Sequence, residues 1–269
     1  MHKSIVISSP EADFSALAYK EEFESSIKKV AEKGFDVVEL AVRDPEEIDT
    51  GHLQKILGKF DLKVSAIGTG QAYGEDGLSF THPDKSIRDK AINRIKSQID
   101  FAHEMDGAQV IIGLIRGKLG EGQSPEEAET LFLKCLDRCI EYDSEIVLTL
   151  EPINRYETNL YNTIAEMKEV INKLDKSDNI GILADTFHMN IEEAEIAGGF
   201  RRCSDLLTHV HVADSNRWAP GCGHIDFNEV ISVLNEIDYE GAISAEILPK
   251  PDADRSAELA IMEMEKLGL

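Results

Sequence analysis

Short apolar segments and amphipathic segments alternate along the whole chain. Eight of the apolar segments are rich in β-branched residues and apolar on both faces, which is typical of parallel strands covered by helices. The pattern predicts strands at residues 4–8, 36–41, 63–67, 109–113, 145–150, 180–184, 206–212 and 242–247.

The segments between these strands show the spacing of amphipathic helices. Residues 20–33 and 84–105 place apolar side chains on one face at helical intervals, and residues 252–267 form a last amphipathic segment. Ser124 stands before a proline and two acidic residues, an arrangement that favours the start of another helix. Helices therefore alternate with the predicted strands.

This alternation predicts an α/β fold, a single (β/α)₈ TIM barrel that takes up residues 1–269 as one catalytic domain. A chain of 269 residues has the ordinary length for such a barrel. An open doubly wound sheet is the alternative, but no glycine-rich phosphate loop follows the first strand. The long connections 68–83 and 213–226 are expected to carry binding residues.

Composition and charge indicate which binding partners and which cellular compartment to expect. The formal net charge of -23 disfavours binding to nucleic acid or to an anionic membrane surface. The apolar run near the N-terminus is too short for a signal peptide, and no run approaches the ~20 residues of a membrane helix. The four cysteines lack CxxC spacing, so we expect free thiols and a cytoplasmic protein.

Four polar residues close the apolar runs of the last four predicted strands: Glu151, Asp185, His211 and Glu246. The carboxyl ends of barrel strands form the active-site face, and consecutive strands are neighbours, so these side chains could converge. Three carboxylates and an imidazole suit Mn²⁺, Mg²⁺ or Co²⁺ better than a structural zinc ion. The alternative is that these residues only cap strand ends.

The segments around these residues resemble a known family. LEPINRYETN (150–159), ILADTFHMN (182–190), HVHVADSNRWAPGCGHIDF (209–227) and SAEIL (244–248) are similar to the sugar isomerase/epimerase group of xylose-isomerase-like TIM barrels. The similarity is greatest to its ketose 3-epimerase branch, the D-tagatose and D-psicose 3-epimerases, and extends to GTGQAYG and SFTHPD in the first half. Within the branch the chain most resembles the 5-keto-L-gluconate epimerases, which act on a keto sugar acid.

The resemblance implies an isomerase that inverts the carbon beside the carbonyl of a small unphosphorylated ketohexose or keto sugar acid. It implies one divalent metal ion, Mn²⁺ before Mg²⁺ or Co²⁺, and a homodimer or homotetramer. The implied site residues are these: Glu151, Asp185, His211 and Glu246 as metal ligands, Glu151 and Glu246 also as the acid/base pair, and Glu157, His188 and Arg217 around the substrate.

Chemistry explains the residue types. A C–H bond beside a ketone is a weak acid, and a metal ion on the carbonyl oxygen stabilises the enediolate that deprotonation produces. Inversion needs a base on one face of the carbon and an acid on the other, which two glutamates can supply.

Several further residues have two interpretations. Arg116 is either a guanidinium for a substrate carboxylate or a surface arginine. Arg155 fits a structural ion pair, and His209 fits a core or supporting histidine better than a ligand. Tyr73 and Trp218 could wall the pocket. Cys222, between two glycines, is treated as a thiol without a catalytic role.

Three other functions compete with the epimerase hypothesis. An aldose–ketose isomerase would use the same metal and acid/base pair to move the proton between the first and second carbons. An abasic-site endonuclease shares the barrel but needs several zinc ions and a basic groove, while the first-half strands offer Glu39 and Ser65 where histidines would be needed. A sugar-binding module would not need an acid/base pair beside a metal.

Overall fold

Eight parallel strands close into a barrel in the computed structural model, which describes residues 1–10, 12–174 and 178–269. Each strand pairs with the next along the chain, and the last strand pairs with the first through Ala242 and His2. The strands are β1 His2–Ser8, β2 Val37–Ala41, β3 Lys63–Gly68, β4 Gln109–Ile112, β5 Leu148–Leu150, β6 Ile180–Asp185, β7 Leu207–Val212 and β8 Ala242–Ala245. The predicted (β/α)₈ fold is confirmed.

The described residues form ten α-helices, of which nine lie between strands and the last follows the final strand. Ser124 begins its helix as predicted: its hydroxyl accepts a hydrogen bond from the Glu127 amide, and the Glu127 carboxylate accepts one from the Ser124 amide. The helices are α1 Phe23–Lys33, α2 Thr50–Phe60, α3 Gly70–Gly74, α4 Lys85–Glu104, α5 Pro125–Ile140, α6 Ile164–Ile171, α7 Thr186–Glu192, α8 Ile196–Cys203, α9 Phe227–Glu236 and α10 Ala253–Lys266.

Some boundaries differ from the predicted ones for local reasons. The strand expected at 145–150 begins only at Leu148, because the Asp143 carboxylate accepts hydrogen bonds from the amides of Glu145 and Ile146 and holds them in a turn. Residues Tyr19–Lys20 form a short strand against β1, so the helix expected at 20–33 starts later, at Phe23.

Alternating side chains on the strands separate the two layers of the molecule. On β1, Ile5 and Ile7 are fully buried in the main hydrophobic cluster with the surrounding helices, whereas Val6 between them lines a cleft at the mouth of the barrel. None of the helices formed by the described residues combines the length and apolar character that crossing a lipid bilayer needs.

Candidate active site

A cleft opens at the carboxyl ends of the strands. Its empty space, including the open mouth, is about 570 Å³, within the range of small-molecule sites. Apolar side chains from Phe14, Leu17, Leu114 and Ile153 form part of its wall. The charged and imidazole side chains that line it are Glu39, Glu151, Glu157, His188, His211, Arg217 and Glu246. The predicted site residues other than Asp185 and Arg116 therefore face one cleft.

Three of the four predicted metal ligands lie close together, and two of them, Glu151 and His211, line this cleft. Adjacent strands pair Asp185 with His211, and the ligand atoms of Glu151, Asp185 and His211 all lie within 4.8 Å of one another. The His211 Nδ1 atom is 4.0 Å from Glu151 Oε1 and 3.9 Å from Asp185 Oδ2. These separations are too long for hydrogen bonds and leave room for a cation between the three atoms.

Two of these atoms are buried without a hydrogen-bond partner: Asp185 Oδ2 and His211 Nδ1. Asp185 uses its other oxygen, Oδ1, to accept hydrogen bonds from the amides of Phe187 and His188 at the start of α7. Buried polar atoms are normally paired, so these two orphaned atoms indicate a group that joins them. A divalent cation fits both the oxygen and the nitrogen donor.

The position of the Glu151 carboxylate depends on the lack of a side chain at Gly113. A Cβ atom at Gly113, just after β4, would lie 2.6 Å from Glu151 Oε2. Any larger residue at this position would push the carboxylate away, so Gly113 is a residue of the site that the sequence interpretation missed.

Electrostatic crowding accompanies this geometry. Burial and the neighbouring Glu246 carboxylate raise the pKa of Glu151 well above its usual range. The same two causes raise the pKa of Asp185 to about 6. Carboxylates that are hard to ionise together favour a cation between them, because the cation replaces the solvation and the charge balance that burial removes.

Glu39 lies behind the metal-ligand group and pairs with two histidines of β7. Its carboxylate is 2.8 Å from His209 Nε2 and 2.9 Å from His211 Nε2, and all three side chains are buried. Burial alone would raise the pKa of Glu39, but the two histidines lower it far below the usual range. Despite burial, Glu39 raises the pKa of His211 to about 10. His209 is thus a supporting residue, as predicted, and Glu39 is a residue of the site that the sequence interpretation did not select.

Asn154 links the side chains of His188 and Glu157 by hydrogen bonds. Asn154 donates through Nδ2 to Glu157 Oε1 at 2.9 Å and to His188 Nδ1 at 2.7 Å. The Nε2 atom of His188 is 3.6 Å from Glu151 Oε1. Burial and the nearby Arg217 lower the pKa of His188, so its ring is neutral and presents Nε2–H as a donor to the cleft.

Arg217 joins the two remaining glutamates. Its Nη1 atom donates to Glu157 Oε1 at 3.0 Å and its Nη2 atom to Glu246 Oε2 at 2.7 Å. The guanidinium lies between two phenylalanine rings, 5.1 Å from the centroid of Phe14 and 4.9 Å from that of Phe187, which fixes its plane. Arg217 also has a positive φ of 60°, a conformation that costs backbone energy and is typical of functional sites. Glu246 lies beside the three-residue group, with one oxygen engaged by Arg217.

The family follows from a match over most of the chain. Residues 27–263 match the family described as xylose isomerase-like TIM barrel. The chain belongs to this family. Two relatives of the chain are L-ribulose 3-epimerases. The one from Methylomonas sp. (strain DH-1) is 31% identical over 226 residues, 82% of this chain and 77% of that protein. The one from Mesorhizobium japonicum is 30% identical over 236 residues, 87% of this chain and 78% of that protein.

A solved structure also matches nearly the full length of the chain. The D-allulose 3-epimerase from Methylomonas sp., in a complex with D-allulose, has a TM-score of 0.83 and 25% sequence identity, and the match covers 99% of this chain and 96% of that one. D-allulose is a ketose sugar. The resemblance to the ketose 3-epimerases that the sequence motifs indicated is confirmed, since these relatives are ketose 3-epimerases.

Arg116 does not have either of its expected positions. Its side chain is fully buried, so it is not a surface arginine. Its guanidinium donates to the carbonyl oxygens of Glu151 at 2.6 Å, Leu160 at 2.9 Å, Tyr161 at 3.1 Å and Gly113 at 3.3 Å. Because backbone carbonyls engage both terminal nitrogens and Arg116 does not line the cleft, it has no paired N–H groups for a substrate carboxylate.

The other secondary expectations have mixed outcomes. Arg155 forms the predicted ion pair, with its Nη2 atom 2.6 Å from Glu192 Oε2. The four cysteines are free, as expected. Among the described residues that line the cleft, the aromatic side chain is Phe14 and neither Tyr73 nor Trp218. The expected loop at 68–83 contains the short helix α3.

Proposed function

We propose that the protein is a divalent-metal-dependent epimerase that inverts the carbon beside the carbonyl of a small unphosphorylated ketose or keto sugar acid. The observation that carries this proposal is the pair of orphaned buried atoms, Asp185 Oδ2 and His211 Nδ1, next to the Glu151 carboxylate. The ketose 3-epimerase relatives support it. Residues 1–269 would act as one catalytic domain.

The proposed metal ligands are Glu151, Asp185, His211 and Glu246. The first three already lie within reach of one position, and Glu246 would complete the set although Arg217 engages its Oε2 atom. When bound, a divalent cation, with Mn²⁺ the first choice, would polarise the substrate carbonyl and stabilise negative charge on its oxygen.

Glu151 and Glu246 would move the proton. One carboxylate takes the proton from the carbon beside the carbonyl, and the C–H electron pair moves toward the carbonyl oxygen. The other carboxylic acid then returns a proton to the opposite face of the same carbon, which inverts it. The Arg217 guanidinium holds the Glu246 carboxylate by a 2.7 Å hydrogen bond, so this group has a fixed position for the transfer.

Three side chains would hold the substrate. The neutral His188 offers an Nε2–H donor 3.6 Å from Glu151 Oε1, which suits a carbonyl or hydroxyl oxygen that is becoming negative. Glu157 can accept a hydrogen bond from a sugar hydroxyl, while Arg217 can donate to an oxygen. Since Arg116 is engaged by backbone carbonyls, the choice between a neutral ketose and a keto sugar acid falls to Arg217 and to the solvent-facing part of the cleft.

The competing functions fit the site less well. Within the described residues, two groups of three side chains could hold a metal ion, and both contain His211, whereas the endonuclease alternative needs several separate zinc positions. The net charge of -23 also opposes binding to DNA. A simple binding module would not need Glu151 and Glu246 as an acid/base pair beside the metal ligands.

Product analysis tests the proposal against the isomerase alternative. The purified protein would be incubated with D-tagatose, D-fructose and 5-keto-L-gluconate, with Mn²⁺ or with EDTA, and the products separated by chromatography. We expect the epimeric ketose or keto acid in the presence of Mn²⁺ and no product with EDTA. Formation of an aldose as the first product would instead establish an aldose–ketose isomerase. The substrate with the highest kcat/KM would decide between sugar and sugar acid.

A further inference from the structure

Glu39 reaches the proposed metal site from the other side of the barrel. It lies on β2, which is not a neighbour of β7 in the sheet, so its contacts with β7 cross the barrel interior. Its carboxylate is 2.8 Å from His209 Nε2 and lies 2.9 and 3.1 Å from His211 Nε2. These are hydrogen-bond distances, so the carboxylate occupies the Nε2 side of both rings.

Gln109 determines which nitrogen of His209 carries the proton. The Gln109 Oε1 atom accepts a 2.6 Å hydrogen bond from the Thr149 hydroxyl, so the amide nitrogen faces the other way. That nitrogen donates to the Thr208 carbonyl at 3.2 Å and to His209 Nδ1 at 3.3 Å. His209 Nδ1 is therefore an acceptor, and its Nε2–H donates to Glu39.

The same carboxylate determines the orientation of His211. With Glu39 accepting from Nε2–H, the remaining ring nitrogen, Nδ1, faces Glu151 and Asp185 at 4.0 and 3.9 Å. Nδ1 has no hydrogen-bond partner among the described residues. The ring thus presents one nitrogen to a carboxylate and the other to the proposed cation.

We propose that Glu39 is a positioning residue that fixes the tautomer and the ring orientation of His211, so that Nδ1 is the metal-binding nitrogen. His209, whose ring is oriented by Gln109, holds the Glu39 carboxylate in place. This inference rests on the metal site of the proposed function. Supporting carboxylates of this kind typically change metal affinity 10- to 100-fold when they are lost, about the effect we expect here.

The first experiment compares Mn²⁺ affinity in wild-type protein, Glu39→Gln and the control Ser244→Ala. Ser244 pairs with His211 across the sheet, but its buried hydroxyl has no hydrogen-bond partner among the described residues. Titration calorimetry should show Mn²⁺ binding weakened about 10- to 100-fold in Glu39→Gln and unchanged in Ser244→Ala. Thermal unfolding of the metal-free proteins reports folding separately. A folded Glu39→Gln variant with wild-type affinity would overturn the proposal.

A second measurement uses the wild-type protein, so it does not depend on the folding of a variant. Long-range ¹H–¹⁵N NMR of the histidine rings, with and without the diamagnetic ion Mg²⁺, identifies the tautomer of His211. We expect a protonated Nε2 and a metal-dependent shift at Nδ1. A metal-dependent shift at Nε2 would refute the assignment of Glu39. If neither Mn²⁺ nor Mg²⁺ binds the wild-type protein, the proposed metal site itself is wrong; if binding occurs without these tautomers, only the Glu39 inference fails.

Discussion

Replacing Arg116 by methionine would leave several buried backbone carbonyls without their donor. The guanidinium donates to the carbonyl of Glu151, directly after β5, and to those of Leu160 and Tyr161 farther along the same loop. Burial lowers its pKa only to about 10, so the side chain is a cation at neutral pH. The substitution therefore removes both a charge and the anchor of the segment that carries Glu151 and Glu157.

The magnitude follows from the number of contacts. An unsatisfied buried acceptor costs ~1–3 kcal/mol, while methionine removes the cost of burying a guanidinium. We expect a net loss of about 3–5 kcal/mol in the free energy of unfolding, the range for breaking buried charged contacts. At ~2–4 °C per kcal/mol for a chain of this class, Tm should fall by roughly 6–20 °C. Displacing Glu151 by ~1 Å would also lower kcat about 100-fold.

Calorimetry and steady-state kinetics of Arg116→Met measure these effects, with Arg155→Met as the matched control. The Arg155 side chain is 60% exposed, and the buried side chain of its partner Glu192 keeps the hydrogen bond from the Arg155 backbone amide after the substitution, so this control should lower Tm much less than Arg116→Met does. An unchanged Tm in Arg116→Met, with KM raised for a keto acid but not for a ketose, would refute the structural role and restore Arg116 as a substrate contact.

Three further predictions concern the acid/base pair and the metal. In product assays, Glu246→Gln should lower turnover about 10²- to 10⁴-fold. Calorimetry should show that Mn²⁺ binding is retained through Glu151, Asp185 and His211. Wild-type turnover in this variant would exclude Glu246 as an acid/base residue. Without metal, the pKa is about 6 for Asp185 and about 10 for His211, so protons compete with the metal for these side chains. Mn²⁺ affinity should therefore fall as the pH is lowered. Calorimetry that finds the same affinity from about pH 8 to about pH 5.5 would contradict this account of proton competition. Adding Mn²⁺ to the chelated protein should raise Tm, because the ion binds the folded state. The increase should be larger at higher pH, because a carboxylate whose pKa is raised by folding stabilises the metal-free fold only while it is protonated. Scanning calorimetry that shows no increase would argue against a metal site that forms in the folded state.

Local patterns were sufficient to predict the barrel. Apolar strands with both faces covered and a helix start at Ser124 are properties of neighbouring residues, and the structure confirms them. The boundary error at 145–150 has a different origin. The Asp143 carboxylate competes for the amides of Glu145 and Ile146, and a pattern of apolar residues does not report such a side-chain contact.

The candidate site was predictable where a polar residue ends an apolar strand, as at Glu151 and Asp185. Glu39 carried a weaker signal, a single carboxylate inside the apolar segment DVVELA, but its partners are 170 and 172 residues away. Arg116 was misinterpreted for a similar reason, since nothing near it in the sequence shows that carbonyls of the segment after β5 converge on one point.

Deuterium exchange tests the central claim most directly. The protein would be incubated with D-tagatose or 5-keto-L-gluconate in D₂O, with Mn²⁺ or with EDTA, and the products followed by NMR. The account predicts deuterium on the carbon beside the carbonyl, together with the epimer, and only in the presence of metal. Absence of deuterium at that carbon with every substrate tested, in a protein shown to bind Mn²⁺, would contradict it.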